Sequence, residues 1–251
     1  MIIVMTAIHK TSGIVLRTVK YGETSLIADI YTELFGRQSY LINGVRSSSK
    51  KGMGLANLFQ PAAILDLEVY HNELKSLQRI KEFKWGYLYK NIFFDVLKNS
   101  VALFMIELFQ KCLKQPETNS ELFSFAEDAF INLDESADMV LANYALYFSL
   151  HLTSFFGLKI DDNYSEKDNI LDLQEGFFVN ERPLHGHYLE EKLSLVTSQL
   201  LKTMQPGELR EINLNREIRV VLLNAYKNFF ALHIQDFGIV KSLPVLQELL
   251  A

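Results

Sequence analysis

The side chains in this chain best placed to do chemistry are cations carried on small, flexible residues. Val45-Arg46-Ser47-Ser48-Ser49-Lys50-Lys51-Gly52-Met53-Gly54 is a basic Ser/Gly loop. Such a backbone can follow a phosphate chain while its N–H groups add further donors. Arg17, Lys20 and Arg37 are expected to approach the same side of a small module as Arg46, Lys50 and Lys51. No base-reading pattern accompanies these six, so their contacts would be independent of sequence and sensitive to salt. Tyr21, Tyr31, Phe35 and Tyr40 interleave with the charges. Barrels that hold single strands stack bases on such rings. Aromatic residues in short strands more commonly fill the interior, however, and core packing is the expectation for each of the four.

Other constellations are weaker. Asp161, Asp162, Glu166 and Asp168 could hold Mg²⁺ for phosphodiester chemistry, but no His or Lys pattern accompanies them, and loop carboxylates ordinarily keep a loop in water. His185-Gly186-His187, with Glu190 and Glu191 nearby, lacks an evident third and fourth ligand. His151 lies in an apolar run and reads as a hydrogen-bonded core residue. The single cysteine, Cys112, excludes an internal disulfide and a Cys-based zinc site. No phosphate-binding Gly-rich loop, nucleophile elbow or dinucleotide fingerprint is present. Nothing in these residues demands an enzyme, a metal or a cofactor.

Charge is divided unevenly. Residues 1–80 hold nine Lys/Arg against six Asp/Glu, and residues 81–251 hold sixteen against twenty-four. A basic head tied to an acidic body points to a polyanion on the head, because binding follows the local patch rather than the net charge of −5. At 251 residues, 49% of them apolar and only 12 Gly and 5 Pro, the chain has enough material for one large core or two ordinary ones. Met1-Ile2-Ile3-Val4-Met5 is too short and lacks the basic leader of a signal peptide. Met139–Leu158 has no Asp, Glu, Lys or Arg, yet Asn143, Ser149, His151, Thr153, Ser154 and Gly157 make it a buried central helix rather than a membrane span. A cytoplasmic protein is expected.

The elements that must position the cations are strands. Gly13–Val19, Ser25–Tyr31 and Arg37–Val45 are rich in Ile, Val, Thr and Tyr, and turn residues around Gly22 and Gly36 separate them. After the basic loop, Leu55–Phe59 can form a helical turn that Pro61 stops. Ala63–Tyr70 alternates apolar and acidic residues, and Leu77–Phe83 supplies a fifth strand. Five strands with a short helix between the third and fourth is the order of an OB-type barrel, although five strands also build SH3-like barrels. Beyond Trp85 the period turns helical. Helices are expected over Ser100–Lys114, Asn119–Leu133 (opened by a Thr118/Glu121 capping box), the central apolar segment capped by Ser136 and ended by Gly157, His187–Met204, and Asn213–Ile234. A small hairpin pairs Leu171–Leu173 with Phe177–Val179 around Gly176. The fold class is therefore α+β with two domains: a five-stranded OB-fold barrel over 1–83, and a mainly α-helical domain with a β-hairpin over 84–251.

Several of these stretches resemble the RecO family of bacterial recombination mediators. They are Gly13-Ile14-Val15-Leu16-Arg17-Thr18-Val19-Lys20-Tyr21-Gly22-Glu23-Thr24, Tyr31-Thr32-Glu33-Leu34-Phe35-Gly36-Arg37, Asn43-Gly44-Val45-Arg46-Ser47-Ser48-Ser49-Lys50 and Leu58-Phe59-Gln60-Pro61. The resemblance implies an N-terminal OB-fold and a helical C-terminal domain. It also implies binding of single- and double-stranded DNA without sequence preference, annealing of complementary strands, contact with single-stranded DNA-binding protein, and joint action with RecR to load RecA. Carried over, Arg17, Lys20, Arg37, Arg46, Lys50 and Lys51 would line the DNA path, with none of them catalytic. Many relatives carry a four-cysteine zinc module; the corresponding region here, Leu158–Val179, has no cysteine. Packing of the apolar hairpin is expected to take over that role. A second DNA surface on the acidic body would be restricted to patches such as Arg216 and Arg219. Two rival readings remain at this point: a metal-dependent nuclease using the Asp161–Asp168 carboxylates, and a protein-only adaptor whose barrel binds peptide.

Overall fold

The computed structural model describes residues 7–46 and 54–250. They form two compact units: one comprises the described residues up to Lys90 together with Leu113–Ile131, the other Asn91–Cys112 together with Asn132 onward. The first unit is a closed five-stranded barrel in the order β1-β2-β3-β5-β4, made of β1 (Ile8–Tyr21), β2 (Ser25–Thr32), β3 (Gly36–Ile42), β4 (Ile64–Tyr70) and β5 (Leu77–Tyr87). All pairings are antiparallel except β3 with β5. A 3-10 turn over Leu55–Phe59 sits between β3 and β4. This is the OB arrangement, not an SH3-like one. The first and fifth strands are longer than the sequence runs suggest: β1 pairs with β4 over residues 8–14 and with β2 over 13–21, and β5 pairs with β4 over 79–87.

Inside the barrel Val15, Leu16, Ala28, Ile30, Tyr40, Leu65, Leu67 and Val69 are buried. Gly13 is required by this packing. A methyl group there would stand 2.7 Å from Ile30 Cγ2 and 3.0 Å from Leu67 Cδ1. The segment Leu113–Ile131 lies against the barrel. Tyr31 stacks on Phe123 with centroids 6.1 Å apart and donates to the Asn119 carbonyl at 3.3 Å. Burial pushes the Tyr31 phenol up to about 12.

The second unit is built around an apolar helix. Its elements are α1 (Val96–Cys112), α3 (Asp138–Thr153), β6 (Ile170–Asp172), β7 (Phe177–Val179), β8 (Tyr188–Leu189), α4 (Glu191–Lys202), α5 (Arg216–His233) and α6 (Ser242–Leu249). α2 (Ser120–Glu135) spans both units along its length. Twelve residues of α3 are buried, and α1, α4 and α5 pack on it. The 19-residue stretch Asp138–Phe156 is long and apolar enough to cross a membrane by composition, yet most of it is buried inside the protein. Buried Asn143 explains how its polarity is tolerated: its amide donates to the Ile212 carbonyl at 2.6 Å. The small sheet is three-stranded, β7-β6-β8, rather than a bare hairpin. Ser194 fixes it by donating to Leu189 O and accepting from Leu171 N.

Helix starts differ from the sequence reading by one to four residues. α1 opens at Val96 because the Asp95 carboxylate, not Ser100, takes the Lys98 N–H at 2.8 Å. Asn119 caps α2 through Leu122 N at 2.9 Å, displacing Thr118 from that role. Ser136 donates to Leu133 O instead of capping α3, whose N-cap is Ala137. His187 precedes a strand, so α4 starts only at Glu191.

Candidate nucleic-acid interface

A β-bulge builds the site. Val15 pairs with Ile30 and Arg17 with Asp29, so Leu16 is an extra residue in β1. Without it Arg17 would sit opposite Ala28, in a fully buried row with Tyr40. With it, Arg17 stands across from Asp29 on the outer face and donates from Nε to Oδ2 at 2.7 Å. Arg37 reaches the same oxygen from β3 at 3.3 Å and donates through its other amino group to Leu113 O at 3.0 Å. Ser39 donates to Asp29 Oδ1 at 2.5 Å. Burial alone would raise the Asp29 carboxyl, which is 5% exposed; the Ser39 and Arg17 hydrogen bonds, the Arg17 charge and the Arg37 hydrogen bond outweigh it and hold the group below its usual range. Two cations thus share one anion, and the cluster keeps a positive charge.

Residues directly opposite in a sheet share a face. One row of this face is therefore Arg17, Asp29, Ser39 and Leu77, and the next is Val19, Ile27, Leu41 and Arg79. Tyr21 and Ser25 follow at the β1–β2 end. Around Arg17 and Arg37 lies a groove of about 760 Å³, also lined by Lys75, Lys114, Phe35, His71 and Leu74. Its lining carries Arg17, Arg37, Lys75 and Lys114 against Asp29 and Glu73. Phe35 stacks on His71 at 3.9 Å and meets His9 edge-on at 5.2 Å. Burial, then the neighbouring His9, lowers the His71 pKa, so the groove wall favours a neutral ring.

The opposite side of the barrel has the other sign. The β1–β4–β5 face presents Asp66, Glu68, Glu82 and Glu33, with Lys10, Lys81 and Lys84 paired onto the carboxylates of Glu68 and Asp66. Nearby Glu127 is raised by burial and then by the charges of Asp128, Glu33 and Asp66. A polyanion approaching the barrel is attracted on the β1–β2–β3 side and not there, where lysines and carboxylates nearly balance.

Of the six cations singled out in the sequence, Arg17 and Arg37 meet at Asp29. Arg46 lies at the β1–β2 turn, donating to Gly22 O at 3.1 Å while its backbone N–H bonds Thr24 O. Lys20 has the other parity: it pairs with Leu26, which is buried beside Ile42. Lys50 and Lys51 fall outside the described residues. Tyr31 and Tyr40 are core residues as expected, each fully buried, whereas Phe35 is half-buried and lines the groove against His71. Tyr21 overturns the expectation, since it is 53% exposed on the cationic face. Sequence reasoning missed Arg79, Lys75 and Lys114. Arg79 has a readable signal, the two-residue step from Leu77 along a strand, but its value depends on the parallel register with β3.

In the second unit the candidate ligands are engaged separately. Asp161 pairs with Lys159 at 3.7 Å, Asp162 with Lys202 at 3.3 Å, and Asp168 accepts from Ser165. His185 faces the buried Asp172 at 3.3 Å, and its ring centre is 6.0 Å from that of His187. Among the described residues no group of three His, Cys, Asp or Glu is arranged to share an ion. Arg219 is not a surface patch: its Nε donates to buried Asn143 Oδ1 at 3.1 Å, and burial lowers its pKa. Arg216 stays exposed and donates to Gln247 O.

Fold and face together define an OB-fold protein with one cationic side, joined to a helical unit. Residues 5–89 match the domain described as "Recombination protein O N terminal", and residues 94–243 the one described as "Recombination protein O C terminal". A protein of Phocaeicola vulgatus named "DNA repair protein RecO" is 34% identical over 246 residues, covering 96% of this chain and 99% of the relative. Proteins of the same name from Flavobacterium psychrophilum and Porphyromonas gingivalis are 31% and 30% identical, over 95% and 94% of this chain and 98% and 97% of their own lengths. The chain belongs to the recombination protein O family.

Proposed function

We propose that the protein is a non-enzymatic, cytoplasmic recombination mediator of DNA repair. Its barrel, residues 1–83, binds single- and double-stranded DNA through phosphates, and residues 84–251 serve as a docking scaffold for RecR and single-stranded DNA-binding protein during loading of RecA. The observation that carries this reading is the shared Asp29 carboxylate, which orients Arg17 and Arg37 side by side without cancelling them. Lys75, Arg79 and Lys114 extend the charge on one side, while Arg46, Lys50 and Lys51 would extend it at the loop end. Annealing follows from the same chemistry: neutralised phosphates no longer repel, and base edges stay free to pair.

If six phosphates are neutralised, log K falls against log salt with a slope of about −4 on single strands and about −5 on duplex. Reversing the charges of Arg46, Lys50 and Lys51 should weaken binding to all sequences alike and slow annealing of complementary oligonucleotides. An affinity insensitive to salt, or a loss confined to one sequence, would refute the reading.

A further inference from the structure

The cationic face carries an apolar strip that a phosphate-only site does not need. Val19 is 49% exposed and Tyr21 53%, and half-buried Ile27 and Leu41 continue the strip across β2 and β3. It lies between the Arg17 row and the β1–β2 turn that holds Arg46, and Arg79 closes its β5 end. Adjacent exposed apolar side chains on one strand face cost solvation unless something covers them. The charge around the strip selects what that is. A polyanion whose apolar parts come within reach of its charges would satisfy both at once, and an unpaired nucleic-acid strand is such a molecule. In a duplex the base faces are already stacked on one another and cannot reach Tyr21.

We infer that this strip is a nucleobase-stacking subsite, in which Tyr21 stacks an unpaired base while Arg17 and Arg37 hold adjacent phosphates. It rests on the DNA-binding reading given above and adds a preference for unpaired strands. Tyr21 ends β1 beside Gly22, whose positive φ of 57° turns the chain and leaves the ring open to solvent. The ring needs no rearrangement to accept a base.

The test compares the full chain on three probes of equal length: a single-stranded oligonucleotide, the same backbone with abasic sites, and the duplex. Stacking on one ring should make the base-bearing strand bind roughly tenfold tighter than the abasic one. Tyr21→Ala should remove that difference while leaving abasic and duplex binding and the salt slope unchanged, and Tyr21→Phe should retain it. Equal affinity for abasic and base-bearing strands, or a Tyr21→Ala loss spread evenly over all three probes, would overturn the stacking subsite alone. Failure of all three probes to bind would overturn the DNA-binding reading and the subsite with it.

Discussion

Two guanidiniums and a hydroxyl converge on the Asp29 carboxylate, Arg17 from β1 and Arg37 and Ser39 from β3. Because the folded pKa of Asp29 lies below its value in an unfolded chain, the cluster contributes stability that is fully present above about pH 4. That contribution is lost as the pH falls through the folded value. Asp29→Asn should therefore lower stability at neutral pH by about 1–2 kcal/mol, a figure discounted for the solvent exposure of Arg17. Urea unfolding of both proteins between pH 7 and pH 3 checks this, with the gap closing at the acid end. A gap that stayed constant with pH would mean that the carboxylate charge contributes nothing. At this scale the sequence was partly legible. Arg17 and Arg37 stand out by charge, but their meeting depends on a bulge at Leu16, and an inserted residue in a strand leaves no mark in the local pattern. Arg219 misled for the converse reason: nothing nearby in the sequence announces that Asn143, 76 positions away, takes its guanidinium inward.

Among the elements, the turn between β2 and β3 is the most constrained. Gly36 has φ of 60°, and a side chain there would collide with the backbone carbonyl of Glu117. Gly36→Ala combines a left-handed backbone with a clash that no rotamer relieves, so a loss of about 2–4 kcal/mol is expected. Thermal unfolding should report it, together with increased amide exchange over the segment Leu113–Ile131 that Tyr31 and Arg37 hold against the barrel. A neutral Gly36→Ala would show that this segment is free to shift. Strand order was readable because alternation and turn residues survive in local sequence. The helix starts were not, since Asp95, Thr118, Asn119 and Ser136 are all chemically able to cap and only packing selects among them. α6 went unread because Pro244 sits in its first turn, where the missing N–H has no helical partner to lose.

For the molecule as a whole, the charges of the barrel are themselves divided over its surface, whatever their place along the chain. The β1–β2–β3 side gathers Arg17, Arg37, Lys75, Arg79 and Lys114, while the β1–β4–β5 side gathers carboxylates. A field of this shape orients a polyanion before contact and fades as salt rises. The sequence conveyed its sign but not its location, because Arg79 and Lys75 join the face only through the parallel pairing of β3 with β5. These two exposed cations also allow the face to be tested without disturbing Asp29. The most direct measurement is the affinity of Lys75→Glu/Arg79→Glu for unrelated DNA sequences over a salt series. The account predicts weaker binding to every sequence by a similar factor, with the salt slope reduced by roughly 1–2. Unchanged affinity and slope in a folded double variant would contradict it.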